Sequence, residues 1–146
     1  MTEVLSLVAI LACALFAGAA IYINLVEHPA RLTCGTEAAA RQWAPSYKRA
    51  AVMQASLAIV AAVAGAVQWV ETRQSLWLWG TIAIAVVVPF TLLVIRPTND
   101  KLLAAGRDLA SAETRTLLES WGRLHAVRSV LSLVAAVLFV WAAVRP

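Results

Sequence analysis

The sequence predicts an all-α fold, an integral membrane four-helix bundle with short interfacial helices in two of its loops. Three observations predict it. Of the 146 residues, 62% are hydrophobic and only 14% charged, with a mean hydropathy of +0.79, well outside the usage of soluble domains. Four apolar runs, Val4 to Val26, Ala50 to Val70, Leu76 to Ile95 and Val127 to Val144, each reach the roughly 20 residues that cross a bilayer core of about 30 Å. The basic residues also sort by side. All of the Lys and Arg except Arg73 and Arg145 fall in or beside the first and third loops, so the positive-inside rule puts those loops in the cytoplasm and both termini outside. That sorting accounts for a pI near 9.7 without nucleic acid. The runs leave no room for a second domain, so residues 1–146 form one transmembrane domain with spans at about 4–27, 48–70, 76–96 and 125–144.

The first span has no basic segment ahead of it and continues past Ala12-Cys13-Ala14, so it reads as a membrane helix rather than a cleaved signal. Ala14 and Gly18 make a small-xxx-small face for a neighbouring helix, with Tyr22 following on it toward the bundle. Pro29 disfavours helical geometry at His28 and is expected to end the helix there. In the first loop, Thr36 can cap a short surface helix that Pro45 ends, with Trp43 at the interface. The second span opens at Ser46-Tyr47-Lys48-Arg49 and carries Gln54, an intramembrane amide in need of a partner. Ala58, Ala62 and Ala66 continue as a small-residue ridge. A short loop at 71–75 makes the second and third spans antiparallel neighbours. Pro89 is expected to kink the third span, which ends at Arg96-Pro97. Trp69, Trp77, Trp79 and Trp141 gather at the outer end as an aromatic belt. In the third loop, Leu117, Trp121 and Leu124 mark an amphipathic helix lying on the membrane. Cys13 and Cys34 are too far apart along the helix to bridge and read as inert thiols.

Two polar stripes interrupt this apolar plan. Asn24, Glu27, His28 and Arg31 stand at i, i+3, i+4 and i+7, on one helical face. His125, Arg128, Ser129 and Ser132 repeat that spacing where the fourth span begins, on the same membrane side. With Tyr47, Gln54 and Asn99 they place the polar chemistry in one half of the bundle, since such groups are costly in lipid unless answered. A shared chamber open to the inner leaflet is expected; the plain alternative is solvated helix-end chemistry among headgroups. Three chemistries fit. His28 or His125 can act as a general base. Glu27, His28 and His125 can hold a transition metal such as copper or iron. His28 and His125 can ligate a haem from facing helices. Arg128 is expected to pair with Glu27 or to hold an anionic substrate oxygen.

The segments Asn24-Leu25-Val26-Glu27-His28-Pro29-Ala30-Arg31, Trp43-Ala44-Pro45-Ser46-Tyr47-Lys48-Arg49, Arg96-Pro97-Thr98-Asn99 and Trp121-Gly122-Arg123-Leu124-His125-Ala126-Val127-Arg128 resemble the anthrone-oxygenase-like family of small four-helix membrane proteins. The resemblance covers nearly the whole chain. It implies an oxidoreductase that uses molecular oxygen on a small hydrophobic, aromatic or polyketide-like substrate in a bacterial inner membrane. His28 or His125 would then remove a proton from a methylene beside a carbonyl. Tyr47, Gln54, Asn99 or Arg128 would hydrogen-bond the enolate oxygen. No flavin or nicotinamide glycine motif is present. The lipid bilayer and the substrate are the expected partners, with a homo-oligomer also open. A small-molecule transporter and a non-catalytic membrane subunit are the competing readings.

Overall fold

Four helical rods stand side by side in the computed structural model, which describes residues 2–145. Among the described residues there is no strand. The first rod comprises α1 (Thr2–Tyr22), a π-turn (Ile23–Glu27) and α2 (His28–Thr33). The second is α3 (Thr36–Thr72). The third comprises α4 (Ser75–Phe90), a second π-turn (Thr91–Ile95) and α5 (Arg96–Leu102). The fourth is α6 (Ala112–Val144). Each is long and apolar enough to cross a membrane, where a helix satisfies its backbone groups internally. Helix α1 packs against α3 and α6, and α4 packs against the same two, so α1 and α4 occupy opposite corners.

The prolines do not end the helices as expected. Pro29 and Pro97 each follow a π-turn after one intervening residue. The His28 N–H bonds to Ile23 O and the Arg96 N–H to Thr91 O, five residues back. The wider turn makes room for a proline ring that would otherwise meet the preceding carbonyl. The first and third rods therefore run on to Thr33 and Leu102. Pro45 also lies inside a helix, because the expected surface helix is continuous with the second span as α3. Its cap residue is Gly35 at φ 87° rather than Thr36. Trp43 is buried, not interfacial, and stacks on Tyr47 with ring centroids 5.0 Å apart and planes 4° apart.

The third-loop helix likewise continues into the fourth span as α6. The Ser111 hydroxyl caps it by accepting the Thr114 N–H at 3.2 Å. Its buried face is Thr114, Leu118, Trp121 and His125 instead of Leu117, Trp121 and Leu124. Both loop helices thus cover the polar end of the bundle.

Elsewhere the core is built from small and aromatic side chains. Phe16, Trp77, Ile84 and Phe139 pack with buried alanines along the middle and far half. Phe139 occupies a notch at Gly65 and Gly80, where an added Cβ would stand 2.6 Å from its ring. Trp77 belongs to this core, 5.2 Å from Phe139, while Trp79 and Trp141 are exposed, so the aromatic belt is thinner than expected. The Ala14, Gly18 and Tyr22 face points away from the bundle, with no atom within 4 Å of a Cβ built at Gly18. Phe16, Ala17 and Ala20 face the core instead. The buried ridge of α3 is Ala58, Ala61 and Gly65, because the face set by Gln54 leaves Ala62 and Ala66 half-buried.

Candidate functional site

Asn24 joins the two polar stripes. Its Nδ2 donates to Gly122 O at 2.8 Å. Its Oδ1 accepts from the Ser129 hydroxyl at 2.7 Å and from His125 Nδ1 at 2.6 Å. These contacts agree with one another: a donor faces a carbonyl, and an acceptor faces a hydroxyl and a ring nitrogen. They put the His125 proton on Nδ1 and leave Nε2 as the basic nitrogen. The first π-turn carries Asn24 to this position, and the buried face of α6 supplies the other partners.

His28 has a different environment. Its Nε2 donates to Leu118 O at 2.9 Å. The ring lies against Gly122, where a Cβ would come within 2.7 Å of it. His28 therefore clamps the start of α2 onto α6, with its Nδ1 buried and unbonded. Trp121 separates the two imidazoles, 5.0 Å from His28 and 4.8 Å from His125. It also meets Trp43 edge-on at 5.7 Å.

His125 faces a narrow crevice that Arg31, Ser46, Tyr47, Gln54 and Arg128 also line. Arg128 does not reach Glu27, contrary to expectation. Its Nη2 donates to Gln54 Oε1 at 2.6 Å, and its guanidinium lies over the Phe16 ring, 5.4 Å from the centroid. This contact answers the Gln54 carbonyl but leaves Gln54 Nε2 and Arg128 Nε buried without partners. Asn99 Nδ2 donates to the Tyr47 hydroxyl at 3.0 Å, so these two residues form a pair, with Asn99 Oδ1 unbonded.

Glu27 turns toward α3. Its Oε1 takes hydrogen bonds from Arg31, from Gln42 Nε2 at 3.0 Å and from the Ser46 hydroxyl at 2.9 Å. The first stripe is therefore split. Asn24 and His28 serve α6, whereas Glu27 and Arg31 serve α3. Among the described residues no group of three His, Cys, Asp or Glu side chains could hold a metal ion. The expected set of Glu27, His28 and His125 does not converge, because Glu27 is taken by three donors on another face. The two imidazoles are no better placed for a shared haem, since His28 spends Nε2 on Leu118.

Sequence patterns had assigned Trp43 and Trp121 to the membrane surface and Arg31 to the first polar stripe, with topology as its plain alternative. All three are buried at this site. The seven-residue spacing from Trp121 to Arg128 through His125 was the available signal, since it sets all three on one helical face. Gln42 and Ser46 became visible only with the fold.

Fold and site together define a small protein of four rods long and apolar enough to cross a membrane, with a buried imidazole, amide and guanidinium around a narrow crevice. A family model described as anthrone oxygenase matches residues 43–138. An anthrone oxygenase of Claviceps purpurea is 30% identical over 135 residues, covering 83% of this chain and 78% of that protein. The anthrone oxygenase ptaC of Pestalotiopsis fici is 34% identical over 113 residues, covering 68% and 80% respectively. The anthrone oxygenase tpcL of Aspergillus fumigatus is 48% identical over 54 residues, a stretch covering 35% of this chain and 34% of that protein. The chain belongs to the anthrone oxygenase family. No solved structure matches it.

Proposed function

We propose that the protein is a membrane-embedded oxygenase for a flat aromatic ketone with an activated methylene, of the anthrone type for which its relatives are named. One observation carries this reading. The bond from His125 Nδ1 to Asn24 leaves a basic Nε2 on a ring that lines the same crevice as Arg128, Gln54 and Tyr47. His125 Nε2 takes the methylene proton. The electron pair moves into the ring carbonyl, and the resulting enolate oxygen accepts from Arg128 and Tyr47. Dioxygen is the oxidant. It bonds to the former methylene carbon as a hydroperoxide. Loss of the second proton from that carbon then breaks the O–O bond, giving a new carbonyl and one water. An anthrone and one dioxygen thus become an anthraquinone and water, with no external reductant.

No step is assigned to a metal, because the side chains do not assemble a ligand set. The basic end of the bundle faces the cytoplasm in this reading, which places the crevice toward the inner leaflet. The test is oxidation of anthrone by protein in lipid nanodiscs, followed through dioxygen uptake and quinone absorbance. His125→Ala should lower kcat by about 100-fold or more while leaving helix content unchanged. Full turnover by a folded His125→Ala protein would remove His125 as the base.

A further inference from the structure

The geometry points to a lateral port, open to lipid between α3 and α4, that admits the apolar ketone and seats its leading rings. This inference rests on the oxygenase reading for the identity of the ligand. The crevice at His125 has a cavity volume of about 10 Å³, enough for about one water molecule. A polycyclic substrate cannot lie there. Beside it is a cleft of about 200 Å³, and since a cavity of about 150 Å³ holds one benzene, this cleft takes the leading part of a fused ring system.

Tyr47, Gln54 and Arg128 line both spaces, so they form the partition between them. On the cleft side the walls are mostly apolar, and the Thr91 hydroxyl is already bonded to Val87 O at 2.7 Å. The mouth carries Ala55 and Leu92, which are exposed on rods long and apolar enough to cross a membrane.

The occupant follows from what the partition lacks. Gln54 is 1% exposed, and its Nε2 and Arg128 Nε are buried donors without acceptors. Such groups are destabilising while unmet. A ketone entering ring edge first, with its carbonyl flank against the partition, supplies the acceptor. A lipid acyl chain supplies none, and a water-borne polar molecule would have to cross an apolar mouth. The partition residues therefore receive the carbonyl as the ring edge reaches the His125 side.

The test uses benzophenone, an apolar diaryl ketone that photolabels the C–H bonds near it. Protein in nanodiscs is irradiated with it and the adducts are mapped. Adducts should concentrate at Val88 and Leu92, fall at least fivefold with excess anthrone, and fall similarly in Ala55→Trp. Ala55→Trp should also raise the KM for anthrone at least tenfold. Trp at the exposed Ile59, which lines neither space, should change neither readout. Labelling spread evenly over the lipid-facing residues of all four rods, or an Ala55→Trp protein with unchanged KM and labelling, would overturn the port. Concentrated, anthrone-sensitive labelling without any oxidation would keep the port and defeat the oxygenase reading instead.

Discussion

The two halves of the bundle solve the same packing problem with different materials. In the far half, alanines and glycines let the rods approach, and Phe139 and Trp77 fill the remaining space. Even there the buried amide of Gln68 is answered, donating to the Ser6 hydroxyl at 2.7 Å. In the half bearing the first and third loops, Trp43 and Trp121 wall a polar cluster in which Arg31, Gln54, Asn99 and Arg128 each keep an unbonded buried nitrogen or oxygen. Buried polar groups are normally paired. The far half has its own exceptions at Gln74 Oε1 and Thr81 Oγ1, but those of the other half gather around one crevice, the arrangement of a half shaped for a visitor.

That contrast can be broken from either side. Phe139→Ala empties the glycine notch and should cost about 3 kcal/mol of stability, read as a lower unfolding midpoint in mixed detergent, with kcat for anthrone unchanged below that midpoint. Asn24→Leu should act on turnover beyond whatever stability its three bonds to α6 supply. It removes the acceptor that fixes the His125 proton, so kcat should fall about 100-fold, equivalent to about 2.7 kcal/mol in barrier. A kcat loss for Phe139→Ala matching that of Asn24→Leu would erase the division.

Gly122→Ala probes the polar half itself, where α2 meets α6. A Cβ there collides with His28 and should cost about 1–3 kcal/mol by forcing the ring off Leu118. Turnover should follow only as far as the lost hydrogen bond disturbs Asn24. Glu37→Ala is the smallest effect, because its ion pair with Arg41 at 2.7 Å is exposed. Its removal should shift stability by less than about 0.5 kcal/mol, and a larger shift would mean that the start of α3 bears more of the fold than its exposure indicates.

The contrast between halves was already legible in the sequence. Apolar run lengths gave the four rods, and the spacing of Asn24 and of His125 brought two remote stripes onto facing surfaces, where these two residues do bond. Helix ends and partner choice were not legible. Proline rules describe an α-helix, and a π-turn upstream of Pro29 and Pro97 suspends them. Glu27 was matched to Arg128 by charge, yet Gln42, Ser46 and Arg31 were nearer once the first-loop segment folded back as part of α3. Trp43 and Trp121 have the residue type of an interfacial belt, and only tertiary packing drew them inward.

Each π-turn holds one residue more than a regular helix would need. Deleting that residue would restore ordinary winding, and because the wider turn absorbs it, the helix on either side would keep nearly the same phase while the residues of the turn itself would be re-aimed. In the first rod the change would fall on Asn24, which the π-turn carries to His125, Ser129 and Gly122. A single-residue gap within 23–27 in a relative is therefore a change of site architecture, whereas one in the loop at 103–111 only alters the length of a connection.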